Sequence, residues 1–176
     1  MSSTNAERYF LDTNVLVYAN DQSDPQRQVV ASRLVGDGIR NRRAVISSQV
    51  PDEFWVTVTR KVRTPLSQKA AEAELLRLGV MSIVPVGYDA VVLALHLLRR
   101  YGLSYWDGLI MAAAQTARCG VVFSEDLSHG QRSGDTLVQN PFIYVRDPYA
   151  GRGGRSCLSR RRRSPRICPS RRPEAC

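Results

Sequence analysis

Apolar residues fall along this chain in two periods, and the two alternate. Short unbroken runs at Tyr9-Phe10-Leu11, Ala44-Val45-Ile46 and Val121-Val122-Phe123 are the pattern of strands buried on both faces. A further strand is expected within Val80–Val86 and a last one over Phe142–Val145. Between these runs the apolar spacing changes to three and four. Val29, Val30, Leu34 and Val35 follow Asp24-Pro25, an N-cap with proline in the first turn, so a helix starts there. Val50, Phe54, Val58 and Val62 recur every four residues behind Ser47 and Ser48, either of which suits a cap. Thr64-Pro65 stops that stripe, and the next helix runs to about Leu78 with Gly79 at its C′ position. Tyr88 to Tyr101 is a helix closed by Gly102, and Ser104 opens another that ends near Cys119-Gly120. Strands alternating with helices indicate an α/β sandwich around a mostly parallel central sheet.

Composition adds little until it is located. An apolar share of 43% in 176 residues supplies one core. No run approaches the roughly 18 apolar residues of a membrane span, and MSSTNAERYF holds no apolar signal segment, so a cytoplasmic protein is expected, with no membrane partner. Cys157, Cys168 and Cys176 lie in a polar C-terminal stretch, leaving Cys119 in the expected fold; no disulfide framework or zinc site is indicated. Of the net charge of +9, almost all belongs to residues 151–176, which hold nine Arg against Glu174. The preceding 150 residues are nearly neutral, with 16 basic and 15 acidic side chains. The chain therefore divides into one domain, 1–148, and an Arg-rich tail, 149–176, whose RRRRSPR run and lack of apolar period indicate disorder. Such a tail adds salt-dependent phosphate affinity, but the body is no strongly basic nucleic-acid binder.

The candidate chemistry is acidic. In open α/β sheets ligands bind beyond the carboxyl ends of the strands. Asp12 directly follows Tyr9-Phe10-Leu11, and Asp126 closes the stretch VVFSED. Glu53 stands in the first turns of the helix after AVIS, and Asp107 in the first turn of the helix after GLS. A parallel sheet brings all four to one edge. Four carboxylates together repel one another, and a hard divalent cation, Mg²⁺ or Mn²⁺, relieves this by taking a few carboxylate oxygens while keeping several waters. Such an ion activates water for phosphodiester hydrolysis.

Plainer readings stand beside this one. Asp107 lies three residues after Ser104, the spacing of a capping box. Glu53 is next to Asp52, either of which could be a solvated helix-start acid, and Asp126 before Leu-Ser-His-Gly suits an ordinary turn. Asp12 is the hardest to explain without function. Thr13, Asn14 and Ser124 either orient the acids or are simply polar helix-start and loop residues. His96 reads as structural and His129 as a turn residue. Trp55 and Trp106 adjoin candidate acids and serve either packing or base stacking. Arg60-Lys61-Val62-Arg63 suits phosphate contact or a solvated helix end equally.

The stretches FLDTNVLVYA, SSQVPDEFWVTVTRK, YGLSYWDGLIMAAAQTARCGVVFSEDLSHG and NPF resemble the PIN-domain toxins of the VapC family, in family order and spacing, from about Tyr9 to Phe142. The resemblance implies a PIN-like α/β/α sandwich and a metal-dependent endoribonuclease using Mg²⁺ or Mn²⁺. It implies Asp12, Glu53, Asp107 and Asp126 as catalytic metal ligands. It also implies RNA as substrate, a VapB-like antitoxin as partner and a homodimer. Pro51-Asp52 stands where the family usually shows Asn ahead of Glu; phase with Phe54 alone leaves Asp52 or Glu53 as the acid that enters the site, and family position favours Glu53. The alternative is a catalytically inactive nucleic-acid-binding PIN module. A phosphatase using Asp12 as nucleophile would need a second Asp where this chain has Asn14.

Overall fold

A computed structural model of the chain describes residues 8–143. The first strand, β1 (Tyr9–Leu11), is wholly buried, and Asp12 caps the helix that follows, α1 (Thr13–Asn20). Next come α2 (Pro25–Arg40), capped by Asp24, and the buried strand β2 (Ala44–Ser47). The chain continues through α3 (Gln49–Arg60), α4 (Gln68–Leu78) and β3 (Ser82–Val84). Helices α5 (Tyr88–Tyr101) and α6 (Tyr105–Thr116) precede β4 (Val121–Phe123), and the hairpin β5 (Arg132–Ser133) and β6 (Thr136–Gln139) follows.

The six strands lie in the order β3-β2-β1-β4-β6-β5, all parallel except β5 against β6. The expected mostly parallel α/β architecture is therefore what the chain adopts. Helical crossovers carry the chain outward from β1 to β2 and β3, then back across the sheet to β4 on the other side of β1. The order thus reverses between β1 and β4, and that reversal is where open α/β sheets leave a crevice at the carboxyl edge. Phe10, Leu11, Val45, Ile46 and Val122 fill the sheet, and Val15, Leu16, Phe54, Val58, Ile110 and Met111 cover it from the helices. α6 approaches α5 so closely that a Cβ on Gly108 would stand 3.0 Å from the Ala94 carbonyl oxygen.

Several expectations need correction. The last strand is not Phe142–Val145: Phe142 and Ile143 lie in a turn, and residues beyond 143 are outside those described. Phe142 is apolar because it plugs the core beside Tyr18, their ring centroids 4.9 Å apart. The final strand is the half-polar Thr136–Gln139, reached through a tight Gly134-Asp135 turn with Gly134 at φ +59°. Neither Ser47 nor Ser48 caps α3 through its side chain; Ser47 lies in β2, and the Ser48 hydroxyl accepts the Val86 N–H at 3.1 Å. Gly79 does end α4, but at φ −61°, so no left-handed residue is used there. α6 stops at Thr116 rather than near Cys119. The Arg-rich tail lies outside the described residues.

Candidate active site

Asp12 is completely buried at the carboxyl end of β1, on the β4 side where the strand order reverses. Its own N–H continues the ladder to the Phe123 carbonyl at 3.0 Å. One carboxylate oxygen accepts the Thr13 N–H at 2.7 Å, which is the helix cap of α1. The other accepts the Ser124 hydroxyl at 2.7 Å and the Asn14 amide at 3.2 Å. A buried charge is tolerable only with such donors.

Ser124 organises the opposite side. Its oxygen donates to Asp12, accepts the N–H groups of Asp126 (3.1 Å) and Leu127 (3.3 Å), and also accepts the Asn14 amide at 3.4 Å. The Asn14 amide also donates to Asp126 at 3.3 Å, while its oxygen accepts the Glu125 N–H at 3.3 Å. Two carboxylates, one buried and one exposed, thus converge on a single nitrogen.

Glu53 joins through Thr13, whose hydroxyl donates to it at 2.9 Å, and through the Gln49 amide at 2.5 Å. Asp52 is exposed. Of the two neighbouring acids, Glu53 is the one bonded to the start of α1. Asp107 is half-buried and forms the reciprocal cap with Ser104, accepting its hydroxyl at 2.7 Å while donating its own N–H at 3.2 Å. The plainer capping role is therefore present, and it uses one of the two carboxylate oxygens. α6 leads into β4 through a short turn, so the topology puts its first turn toward the carboxyl edge of the sheet. The network ties together Asp12, Asp126 and Glu53. Among the described residues no three Asp, Glu, His or Cys side chains stand close enough to hold a metal ion directly.

Of the remaining candidates, Trp55 is packed against the core and Trp106 is exposed. The ring nitrogen Nδ1 of His129 accepts the Asn140 N–H at 3.1 Å, which makes it a loop-closing residue. His96 is exposed on α5.

Residues 9–132 match the family model described as the PIN domain. The chain belongs to the PIN-domain family. Among solved structures this PIN domain is similar to a VapC toxin of Mycobacterium tuberculosis described as cleaving the sarcin–ricin loop. The identity is 22% and the TM-score 0.54, over 67% of this chain and 89% of that one. A toxin–antitoxin complex from Klebsiella pneumoniae is similar at 16% identity and TM-score 0.57, covering 76% of this chain and 97% of the other. The VapBC complex of Rickettsia felis bound to promoter DNA is similar at 19% identity and TM-score 0.54, over 75% and 97%. These likenesses establish the shared fold. A comparison with curated proteins finds no significant match. No helix among the described residues is long and apolar enough to cross a membrane.

One part of this PIN domain was not foreseen from its sequence. Arg27 on α2 is buried and reaches Glu125, between Ser124 and Asp126, at 2.7 Å. It also pairs with Asp24 at 3.3 Å and donates to the Tyr18 hydroxyl, which itself donates to Glu125 at 2.7 Å. The guanidinium lies 4.9 Å from the Tyr18 ring centroid and 5.8 Å from that of Phe142. Burial works against its charge, but Tyr18, Glu125 and Asp24 together hold the guanidinium above its ordinary pKa. The cluster holds the Glu125 side chain, and through it the stretch between Ser124 and Asp126.

Proposed function

We propose that this PIN domain is a metal-dependent endoribonuclease and the toxin half of a toxin–antitoxin pair. The observation that carries this is Asp12, completely buried at the strand reversal and linked by Thr13, Asn14 and Ser124 to Glu53 and Asp126. That donor set fits a hard cation, because it is built of carboxylate oxygens and Mg²⁺ needs only one or two of them beside its waters. Asp12 and Asp126, with Glu53 and Asp107 at the same edge, are the groups that would hold Mg²⁺ or Mn²⁺. Bound there, the ion supplies an activated water and charge stabilisation at phosphorus.

The chain's own residues do the rest. Ser124 and Asn14 fix the orientation of Asp12 and leave Asp126 at the exposed rim, where a phosphate can approach. Thr13 and Gln49 hold Glu53, so its carboxylate is aimed before substrate arrives. Such preset geometry is what phosphodiester hydrolysis draws on. Similar solved structures described as toxin–antitoxin complexes support a small antitoxin as partner. The acidic edge on a nearly neutral body suits a basic side chain from that partner, placed among the carboxylates.

The test is cleavage of total cellular RNA by the purified chain with Mg²⁺, with Mn²⁺ and with EDTA, mapping the new ends. Metal-dependent internal cuts that disappear in Asp12→Asn support the reading. RNA bound but left intact under every metal condition would identify an inactive nucleic-acid-binding PIN module instead.

A further inference from the structure

The ribonuclease reading leaves unused the corner where α5 turns into α6. Gly102, at φ +67°, makes that turn, and it brings the last turn of α5 next to the first turn of α6. Four exposed side chains stand on the corner: Arg99 and Arg100 before the turn, Tyr105 and Trp106 after it, directly ahead of Asp107.

The two rings are not core residues that happen to show an edge. Tyr105 is 40% and Trp106 46% exposed, whereas Trp55 and Tyr101 pack against the core. After the half-buried Asp107, the seven residues of α6 from Gly108 to Ala114 are all buried. The helix thus passes from open aromatics to full burial within two residues, so an amphipathic period does not account for them. Tyr105 and Trp106 hold each other edge to face, centroids 5.5 Å apart at 70°, which leaves the Trp106 ring ordered and accessible.

The neighbouring charge selects the occupant. A group of acids repels an RNA backbone, and the body of the chain is nearly neutral, so a strand reaching Asp107 needs cations close by. Arg99 and Arg100, exposed at the end of α5 just before the turn, supply them, the Arg100 guanidinium lying 5.5 Å from the Tyr101 ring centroid. Guanidinium groups beside stacking faces are the two components with which proteins hold unpaired nucleic acid. We infer that the α5–α6 corner is a ledge for an unpaired RNA strand, with one base stacked on Trp106 and its phosphates beside Arg99 and Arg100, feeding the strand to Asp107. The inference rests on the ribonuclease reading and adds to it the surface along which the strand enters.

The experiment uses the full chain carrying Trp55→Phe, so that Trp106 is the remaining tryptophan, and an eight-nucleotide single-stranded RNA in EDTA. Binding should quench the tryptophan fluorescence, and an abasic oligomer of the same length should not. Trp106→Ala should weaken binding roughly five- to a hundred-fold, and Trp106→Phe should recover most of it. Replacing both arginines by serine should flatten the log–log salt slope by about 1.4, for two phosphate contacts. Binding without quenching, or unchanged affinity and unchanged KM for cleavage in Trp106→Ala, overturns the ledge alone. A Trp106→Ala change in oligomeric state by sedimentation, with RNA affinity intact, identifies a protein contact and also overturns it. A wild-type chain that neither binds nor cleaves RNA overturns the ledge together with the ribonuclease reading.

Discussion

Asp12 and Trp106 belong to one proposed site, yet the first is completely buried and the second is 46% exposed. The Asp12 side is built from hydrogen bonds: a serine that both donates and accepts, an asparagine amide bridging Asp12 and Asp126, and a threonine bridging Asp12 and Glu53. The Asp107 side is built from a helix cap and an aromatic pair standing in water. Buried polar networks are unforgiving, since each unmet group costs its full desolvation. Open aromatic surfaces tolerate change and adapt to varied partners. The division matches two tasks: a rigid centre for a reaction with one geometry, and a permissive approach for a strand of many sequences.

The contrast predicts graded responses. Asp12→Asn is nearly isosteric and relieves repulsion among acids, so the fold should persist while cleavage falls by more than the roughly 100-fold typical of losing a group that merely supports a metal ligand. Normal cleavage in that variant would remove Asp12 from the chemistry. Arg27→Met leaves the half-buried Glu125 without its guanidinium partner, with the Tyr18 hydroxyl still donating to it. Denaturant unfolding should show a loss of about 3–5 kcal/mol, and cleavage should fall in the fraction that stays folded, because the Ser124–Asp126 loop loses its support. Stability near wild type would mean that water replaces the pair and the cluster is dispensable. Ser124→Ala keeps the fold's volume but strips a donor from Asp12 and an acceptor from two backbone N–H groups. A loss of about 10–100-fold in activity is expected, visible as a raised metal requirement. An unchanged metal titration would show that Ser124 only closes the loop.

Two smaller effects lie away from this edge and act as controls. Burial, against a weaker opposing pull from Arg8, pushes the Cys119 thiol up to about 11. In native protein at pH 8, iodoacetamide followed by peptide mapping should leave Cys119 unlabelled, and labelling should appear only on unfolding. Rapid native labelling would contradict its burial. Glu74 is raised by burial but lowered more by hydrogen bonds from Arg77 and Asn20, so its carboxyl lies below its ordinary value of 4.5. A depressed carboxyl contributes stability above the unfolded value that is lost as pH falls through the folded one. Glu74→Gln should therefore flatten the stability profile slightly below about pH 4.5, with little change at neutral pH. An identical acid profile in the variant would remove that contribution.

Much of this was legible in the sequence, because the central strands are short, purely apolar and followed at once by polar residues. Burial on both faces writes itself into composition, and an acid directly behind such a run stands out. The β5–β6 hairpin was not legible in the same way. Its strands are two and four residues long and half-polar, and its signal was the Gly134-Asp135 turn rather than an apolar run. Phe142 misled for the opposite reason: its apolarity serves a contact with Tyr18 and Arg27, which no local pattern reveals. Arg27 reads as one more helical arginine until the fold brings Glu125 to it. Between Asp52 and Glu53 the helical phase alone left the choice open and family position favoured Glu53; in the fold Glu53 accepts from Thr13 and Asp52 is exposed. Trp55 and Trp106 were equal in sequence and differ in the fold, Trp55 half-buried against the core and Trp106 exposed.

The central claim is that the Asp12 network is a cation site serving RNA cleavage. Its most direct test is titration of the full-length wild-type chain and Asp12→Asn with Mn²⁺, reading free ion by electron paramagnetic resonance, alongside single-turnover cleavage of a labelled RNA in the same samples. The account predicts saturable Mn²⁺ binding by wild type whose occupancy tracks the cleavage rate, and the loss of both in a folded Asp12→Asn. Cleavage that proceeds without bound metal, or Mn²⁺ binding and cleavage that survive in Asp12→Asn, would contradict it.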